Sequence, residues 1–221
     1  MTLNQPPNTT TDKTRELILL AAETLFAERG YSATSVRAIA ATAGVNLAAA
    51  HYHFGSKKGL LEAVVHARVA PINVYRLQAL TTLELQNDDQ NVDAIMTAFF
   101  APFMDGELSG GFPRIMARIF GEPDELIRPI LEQEFLPVTR RFIGALQIAL
   151  PGLDSEELQW RFHFVIGAMI HLFMFSEPLG FAGKTQNSAK PNKSTTASFQ
   201  RLQSFVVPGL QDGQEILNRS S

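Results

Sequence analysis

The chain has 221 residues, 45% of them apolar and 19% charged, which suits one domain of ordinary size or a small domain joined to a larger one and excludes general disorder. It contains no cysteine, which excludes disulfides, thiolate catalysis and cysteine-held zinc or iron-sulfur groups. The net charge of −3 does not by itself suggest a nucleic-acid partner, yet residues 1–68 hold seven Lys or Arg against five Asp or Glu, a balance of +2, and the remainder twelve against seventeen, a balance of −5.

Nothing reads as a secretory h-region or as an uninterrupted apolar span of about 20 residues, so the expected location is the cytoplasm, with no membrane partner. Thr and Asn crowd the first dozen residues, which predicts a disordered tail. From Thr14 to Arg29, Ile18, Ala22, Leu25 and Phe26 recur at helical spacing, and Gly30 is placed to end the run. Tyr31 either extends that small core or presents its hydroxyl to the surface.

Thr34 can cap a second, short helix whose Val36, Ile39 and Ala40 share one face, with Ser35 beside it and Arg37 on the polar side. Gly44 supplies a residue that leaves the helix with positive φ before Val45 turns back inward. Asn46 can then start another short helix, Leu47-Ala48-Ala49-Ala50-His51-Tyr52, slim enough for a DNA major groove about 12 Å wide. This is a helix-turn-helix pattern for duplex DNA. Its base reading would fall on Asn46, His51, Tyr52 and apolar contacts from Leu47 or Ala48 to thymine methyls, although Leu47 can equally pack inward. Phe54 reads as a core anchor. Ser56 caps the next helix, but Lys57 and Lys58 occupy its first turn, where the helix dipole disfavours cations. That placement makes sense if both face phosphate; the alternative is two solvated ends. Arg37 has the same two readings, and the Thr34 and Ser35 hydroxyls at the start of its helix can cap it and meet the DNA backbone together. His51 and His53, two apart, cannot share a helix face, so no metal is expected there.

Residues 14–65, with the run AAETLFAERGY, the stretch TSVRAIAATAGV and the junction YHFGSKKGLL in that order, resemble the N-terminal domain of the TetR family of transcriptional regulators. The resemblance covers roughly a quarter of the chain. It implies a dimer on a palindromic operator and a divergent C-terminal domain whose ligand weakens DNA binding. One departure is His51, where the family usually has Tyr, followed by Tyr52, so either residue can make the aromatic phosphate contact. The GVNLAAAHYHFGSKKGL version looks like the subgroup with regulators of fatty-acid degradation and antibiotic susceptibility.

From Lys57 to about Leu83 the pattern predicts one long helix with Leu60, Leu61, Val64 and Val65 inward, which Pro71 should bend or divide. The polar stretch Leu85–Asn91 predicts a turn. Val92–Met104 carries Ile95, Met96, Phe99, Phe100 and Phe103 on a broad apolar stripe, and Asp105–Gly111 a second turn. Arg114, Met116, Arg118 and Phe120 follow before a break at 121–123. Met and Phe can line a pliable apolar cavity, with an arginine such as Arg114 holding a ligand carboxylate or phosphate; the alternative is a helical core with arginines outward. Asp124–Leu150 is helical with Pro129 accommodated near its start and Pro137 expected to kink it; Phe142 adds apolar weight, and Arg140 and Arg141 suit surface ion pairs.

Ser155 opens a helix apolar around most of its circumference, in which Trp160, Phe164, His171 and Phe175 line either a ligand cavity or a dimer seam and Gly167 permits close packing. Residues 177–196, rich in Gly, Pro, Ser, Thr, Asn and Lys, predict a mobile loop. Phe199, Leu202, Phe205 and Val206 restore helical spacing before a break at Pro208-Gly209. The resemblance implies that this last helix pairs with the Trp160 helix in a four-helix dimer interface including Leu202 and Phe205.

The expected fold is therefore all-α, with a helix-turn-helix domain over 12–60 and an effector-binding and dimerisation domain over 61–217. The expected ligand set is Phe103, Arg114, Met116, Phe120, Phe142, Trp160, Phe164, His171 and Phe175, for a small apolar or acyl effector. An enzyme is set against by the lack of a glycine phosphate loop, a cysteine nucleophile or a compelling metal cluster, and no cofactor is expected. The rival reading is a ligand-independent architectural DNA-binding protein or an activator.

Overall fold

The computed structural model describes residues 9–86, 91–104, 112–175 and 195–212. The expectations for 1–8, for 87–90, for the turn at 105–111, for 177–194 of the expected loop and for the end of the chain from 213 lie outside the described residues, whereas Thr195 and Thr196, expected in that loop, open the last helix. Those described form nine helices and no strand: α1 (Thr9–Arg29), α2 (Val36–Thr42), α3 (Leu47–Phe54), α4 (Lys57–Leu85), α5 (Val92–Met104), α6 (Phe112–Ile119), α7 (Asp124–Ala149), α8 (Ser155–Met174) and α9 (Thr195–Gln211). The first helix corrects the expected tail over its residues 9–12, where Asp12 in the first turn suits the positive end of the helix dipole.

The prolines interrupt less than the sequence predicts. α4 continues through Pro71, α7 through Pro137 and α9 through Pro208, which corrects any division or break there, and α7 accommodates Pro129 as expected. Each of these prolines is exposed, and so is the residue four positions before it, whose carbonyl loses its main-chain donor and can turn to water. Pro102 in α5 is different, because it is buried.

The chain divides into two compact units, residues 1–69 with 118–130 and residues 70–117 with 131–221. The first sets α1, α2 and α3 against one another. Its core comprises Ile18, Ala22, Leu25 and Phe26 of α1, Ile39 and Ala40 of α2, Ala50 of α3, and Leu60, Leu61, Val64 and Val65 of α4. These are the inward residues predicted for α1 and α4. Leu or Ile side chains buried to this degree each stabilise by about 1.5–3 kcal/mol relative to exposure.

The second unit packs α9 on α5 and on α8 around an aromatic cluster. Phe99 lies edge-on to Phe100, Phe142 and Phe162 at centroid separations of 5.4, 5.1 and 5.3 Å. Phe103 stacks on Phe199 at 4.9 Å and 14°. The predicted α5 stripe is buried along its whole length, so it is the hydrophobic spine of this unit.

Candidate nucleic-acid interface

The turn between α2 and α3 forms as Gly44 adopts φ +68°, a conformation a side chain would strain, and Val45 N–H donates to the Ala40 carbonyl at 3.0 Å. Asn46 starts α3, its Oδ1 accepting from Ala48 N–H at 2.9 Å. The cap of α2 is Ser35, whose Oγ accepts from Ala38 N–H at 3.1 Å, and not Thr34. Thr34 is 2% exposed and donates its hydroxyl to the carbonyls of Gly30 at 2.7 Å and Leu25 at 3.2 Å. Its expected role at a DNA surface is corrected on that account: the hydroxyl is consumed in closing α1.

α3 buries Ala50 against the unit and turns Leu47, Ala48, His51 and Tyr52 outward, with Tyr52 82% exposed and its ring edge-on to His53 at 5.3 Å. The two readings of Leu47 resolve to the outward one. His51 Nδ1 lies 3.2 Å from the Gly55 carbonyl; protonated there, it donates and leaves Nε2 outward as an acceptor. Asn46, with its oxygen in the cap, keeps its amide hydrogens as the groups that can address a base. Ser35 and Arg37 are exposed. Phe54, expected as a core anchor, is only half-buried, and the Arg15 guanidinium covers its ring at 5.3 Å.

The junction into α4 is set by Ser56, whose Oγ accepts from Gly59 N–H at 3.0 Å, and by a close approach at Gly59, where a Cβ would stand 2.4 Å from the Phe54 carbonyl oxygen. Only glycine fits there. The paired lysines that follow differ from the expectation of two phosphate-facing cations. Lys57 Nζ lies 4.2 Å from the Tyr31 ring centroid and donates to the Ser32 carbonyl at 3.3 Å, whereas Lys58 is exposed beside Glu62 at 3.6 Å. The pull on Lys57 is the electron-rich face of Tyr31, itself in contact with Phe26 at 5.8 Å. Tyr31 N–H donates to Glu122 Oε1 at 2.8 Å, tying the turn before α7 to the end of α1 within this unit. Burial, then the charges of Glu122 and Glu62, push the Tyr31 phenol above its ordinary value.

The residues expected to line one ligand cavity differ in burial and fall in both units. Phe103, Met116 and Phe142 are buried in the second unit. Phe120 is half-buried and belongs to the first. The side chain of Arg114 lies outside the described residues. Trp160, Phe164 and His171 are exposed along one face of α8, together with Gly167, because the helical period turns Phe162, Val165 and Met169 to the other side, and Phe175, which caps the helix, is exposed after them. Phe205 is exposed on the adjoining α9, and Leu202 half-buried. A Cβ at Gly167 would meet nothing within 4 Å. Of the two readings of the α8 aromatics, this geometry suits a seam and not an internal cavity. Arg141 pairs with Glu84 at the surface, as its position suggests.

Sequence reasoning passed over the most unusual group in the second unit. Arg76 is 1% exposed; its Nε donates to the Phe99 carbonyl at 2.9 Å, and its Cζ lies 3.9 Å from that residue's ring centroid. The signal was present, because Val65, Val69, Ile72, Arg76 and Leu80 follow one another at helical spacings of three and four, so a cation interrupts an otherwise apolar stripe.

Among the described residues no helix is long and apolar enough to cross a membrane. Two family models match the chain: bacterial regulatory proteins of the tetR family over residues 18–64, and the tetracyclin repressor-like C-terminal domain over 97–209. The HTH-type transcriptional repressor BepR of Brucella suis is 39% identical over 67 residues, 30% of this chain and 32% of that protein. An HTH-type transcriptional repressor of Mycobacterium tuberculosis is 34% identical over 99 residues, 44% of this chain and 53% of the relative. The chain thus spans about a third to a half of the length of these relatives. The crystal structure of NalD, the secondary repressor of the MexAB-OprM multidrug efflux pump in Pseudomonas aeruginosa, shares the fold with a TM-score of 0.64 at 19% identity, over 91% of this chain and 98% of that one. With one model over its helix-turn-helix and another over more than half its length, the chain belongs to the TetR family of DNA-binding transcriptional regulators.

Proposed function

We propose that this protein is a homodimeric transcriptional repressor that binds a palindromic operator and releases it when a small apolar or acyl ligand occupies its second unit. The observation that carries the reading is α3: a short helix capped by Asn46, buried only through Ala50, and presenting Leu47, Ala48, His51 and Tyr52 outward. That arrangement suits insertion into a major groove, with Ser35, Arg37 and Lys58 placed at the flanks for phosphate. Residues 12–60 serve as the DNA-binding part and 61–217 as the effector-binding and dimerisation part.

In this reading two copies of α3 address successive major grooves roughly 34 Å apart, so a change in their separation changes affinity. A ligand that favours a misspaced dimer weakens DNA binding by reciprocal coupling, with no chemical turnover. The Phe- and Met-rich interior of the second unit favours an apolar or acyl molecule. Such a protein works in the cytoplasm, where the DNA is.

The test is to incubate the purified protein with a genomic library of short duplexes at controlled salt and sequence the bound fraction. Recovery of a palindrome with two half-sites supports the reading. Salt-sensitive binding without any recovered motif overturns it in favour of an architectural role.

A further inference from the structure

The second unit buries a cation that its own described residues do not neutralise. Arg76 stands on the apolar stripe of α4, 1% exposed, and among the described residues no carboxylate lies within ion-pair reach of it. Of its five N–H donors, Nε meets the Phe99 carbonyl at 2.9 Å and Nη2 the thioether of Met169 at 3.5 Å, a weak acceptor. The guanidinium lies over Phe99 at 3.9 Å and Phe103 at 5.2 Å. Three residues earlier on the same helix, and hence on a neighbouring face, Asn73 is 8% exposed. Its amide nitrogen donates to the Glu134 carbonyl at 2.7 Å, while its buried Oδ1 has no partner among the described residues.

A hydrogen bond to one carbonyl and contact with two rings do not require this residue. A neutral amide could reach the Phe99 carbonyl without carrying a charge into an aromatic core, where an uncompensated ion costs several kcal/mol. Burial lowers the Arg76 pKa to about 9, so the group is still cationic at neutral pH. Unspent donors, a retained charge and an apolar surround are together the elements of a site for an anion with an apolar body.

We propose that Arg76 recognises the carboxylate head of the effector, an amphiphilic monocarboxylate whose apolar body lies along Phe99, Phe103 and Met169; this rests on the effector-responsive reading above. The carboxylate accepts from the free edge of the guanidinium, supplying the missing counter-charge. Because the cation is covered, the ligand reaches it by displacing the Phe103 ring from its stack on Phe199, which disturbs the contact between α5 and α9.

The experiment is calorimetric titration of the full chain, at neutral pH and fixed salt, with decanoate and with its neutral methyl ester. Decanoate is expected to bind about 10- to 100-fold more tightly, the worth of a charge-assisted hydrogen bond. Arg76→Gln should abolish that ratio and leave the affinity for the ester within a few-fold of wild type, whereas Arg76→Lys should keep part of it. The comparison on the wild-type chain stands even if a variant fails to fold. Equal binding of acid and ester overturns the assignment of Arg76 and leaves the effector reading intact. Failure of both to bind removes the acyl-effector reading, and this assignment with it.

Discussion

The main-chain N–H of Tyr31 donates to Oε1 of Glu122 at 2.8 Å, although the two residues stand 91 apart in sequence. The donor belongs to the turn after α1, which has no helical partner for it, so the carboxylate completes the end of α1 from the segment 118–130 of the same compact unit. Glu122→Gln keeps an acceptor at that point and should unfold in urea close to wild type. Glu122→Ala leaves a half-buried donor unmet and should cost about 1–2 kcal/mol. Equal midpoints for the two variants would show that the bond carries no stability.

The same contact sets an alkaline limit. Desolvation first, then the negative charges of Glu122 and Glu62, raise the Tyr31 phenol above 10.0, so the folded state holds this proton more tightly than the unfolded one. The corresponding stability is whole below about pH 10 and is lost as pH rises through the raised value. Removing one of the two charges, in Glu122→Gln, should lower the phenol's pKa while burial keeps it above normal. Ultraviolet titration of tyrosinate should show the shift, and the variant should lose less stability than wild type between about pH 10 and 12. An unchanged titration would mean that Glu122 does not reach the ring electrostatically.

Thr34 and Ser35 are adjacent hydroxyls with opposite assignments. Thr34→Val keeps the shape and removes two buried hydrogen bonds, so it should destabilise by about 1–3 kcal/mol while the folded fraction binds DNA as before. Ser35→Ala loses the α2 cap, a cost of about 1 kcal/mol, and should also weaken DNA binding if the exposed hydroxyl meets phosphate. Denaturation and fluorescence anisotropy on the same preparations separate the two effects. A Thr34→Val protein of normal stability but impaired affinity would return Thr34 to the DNA surface.

Much of the first unit was legible because its signals are local. Ile18, Ala22, Leu25 and Phe26 declare the inner face of α1 by spacing alone, and Gly44 and Asn46 declare a turn whose chemistry resides in neighbouring residues. Thr34 was misread because two hydroxyls compete for one cap, and the winner depends on whether the α1 carbonyls at Leu25 and Gly30 claim the other. The attraction of Lys57 to the Tyr31 ring is a contact across 26 positions that no periodicity reports. In the second unit, spacing identified the α5 stripe but could not separate Phe162 from Phe164, since α8 is apolar on both sides and only its packing distinguishes core from seam. The exposed prolines were over-weighted for a related reason: water can serve the carbonyls they orphan, and exposure is not written in the proline itself.

On the DNA side, the two lysines offer a direct discrimination. Lys58 is exposed and can swing from Glu62 to phosphate, whereas Lys57 is held on Tyr31 and Ser32. Lys58→Ala should lower the magnitude of the log K against log salt slope by about one without destabilising the protein. Lys57→Ala should cost stability and leave the slope unchanged. Tyr52→Ala, at a side chain 82% exposed, should change stability by less than about 0.5 kcal/mol yet weaken operator binding. Anisotropy titrations between 50 and 200 mM salt, a range over which phosphate contacts are strongly felt, decide the assignments. An unaltered slope for Lys58→Ala together with a reduced one for Lys57→Ala would reverse them.

α8 and α9, packed on each other, both carry exposed aromatic side chains. Trp160, Phe164, Gly167 and His171 lie at intervals of three or four along α8, Phe175 follows at its cap, and Phe164 and Phe205 are 64% and 76% exposed. Large aromatic side chains left open in a row are costly to a monomer, and a second copy presenting the same face through a twofold axis would cover them in a four-helix arrangement. Gly167, with open space around it, would let the paired helices approach closely. Phe164→Glu places two like charges near the axis of such a seam and removes its apolar anchor from both copies. It should therefore convert a dimer to a monomer in sedimentation at micromolar protein, while the far-ultraviolet spectrum stays helical because Phe164 is exposed and its ring meets Trp160 and His163 on the same surface. DNA affinity should fall with it, since each monomer then holds only one half-site. Phe162→Glu is the opposing control: its ring packs on Phe99 at 5.3 Å, so it should unfold the second unit. A Phe164→Glu protein that sediments and binds DNA like wild type would remove this face from the interface.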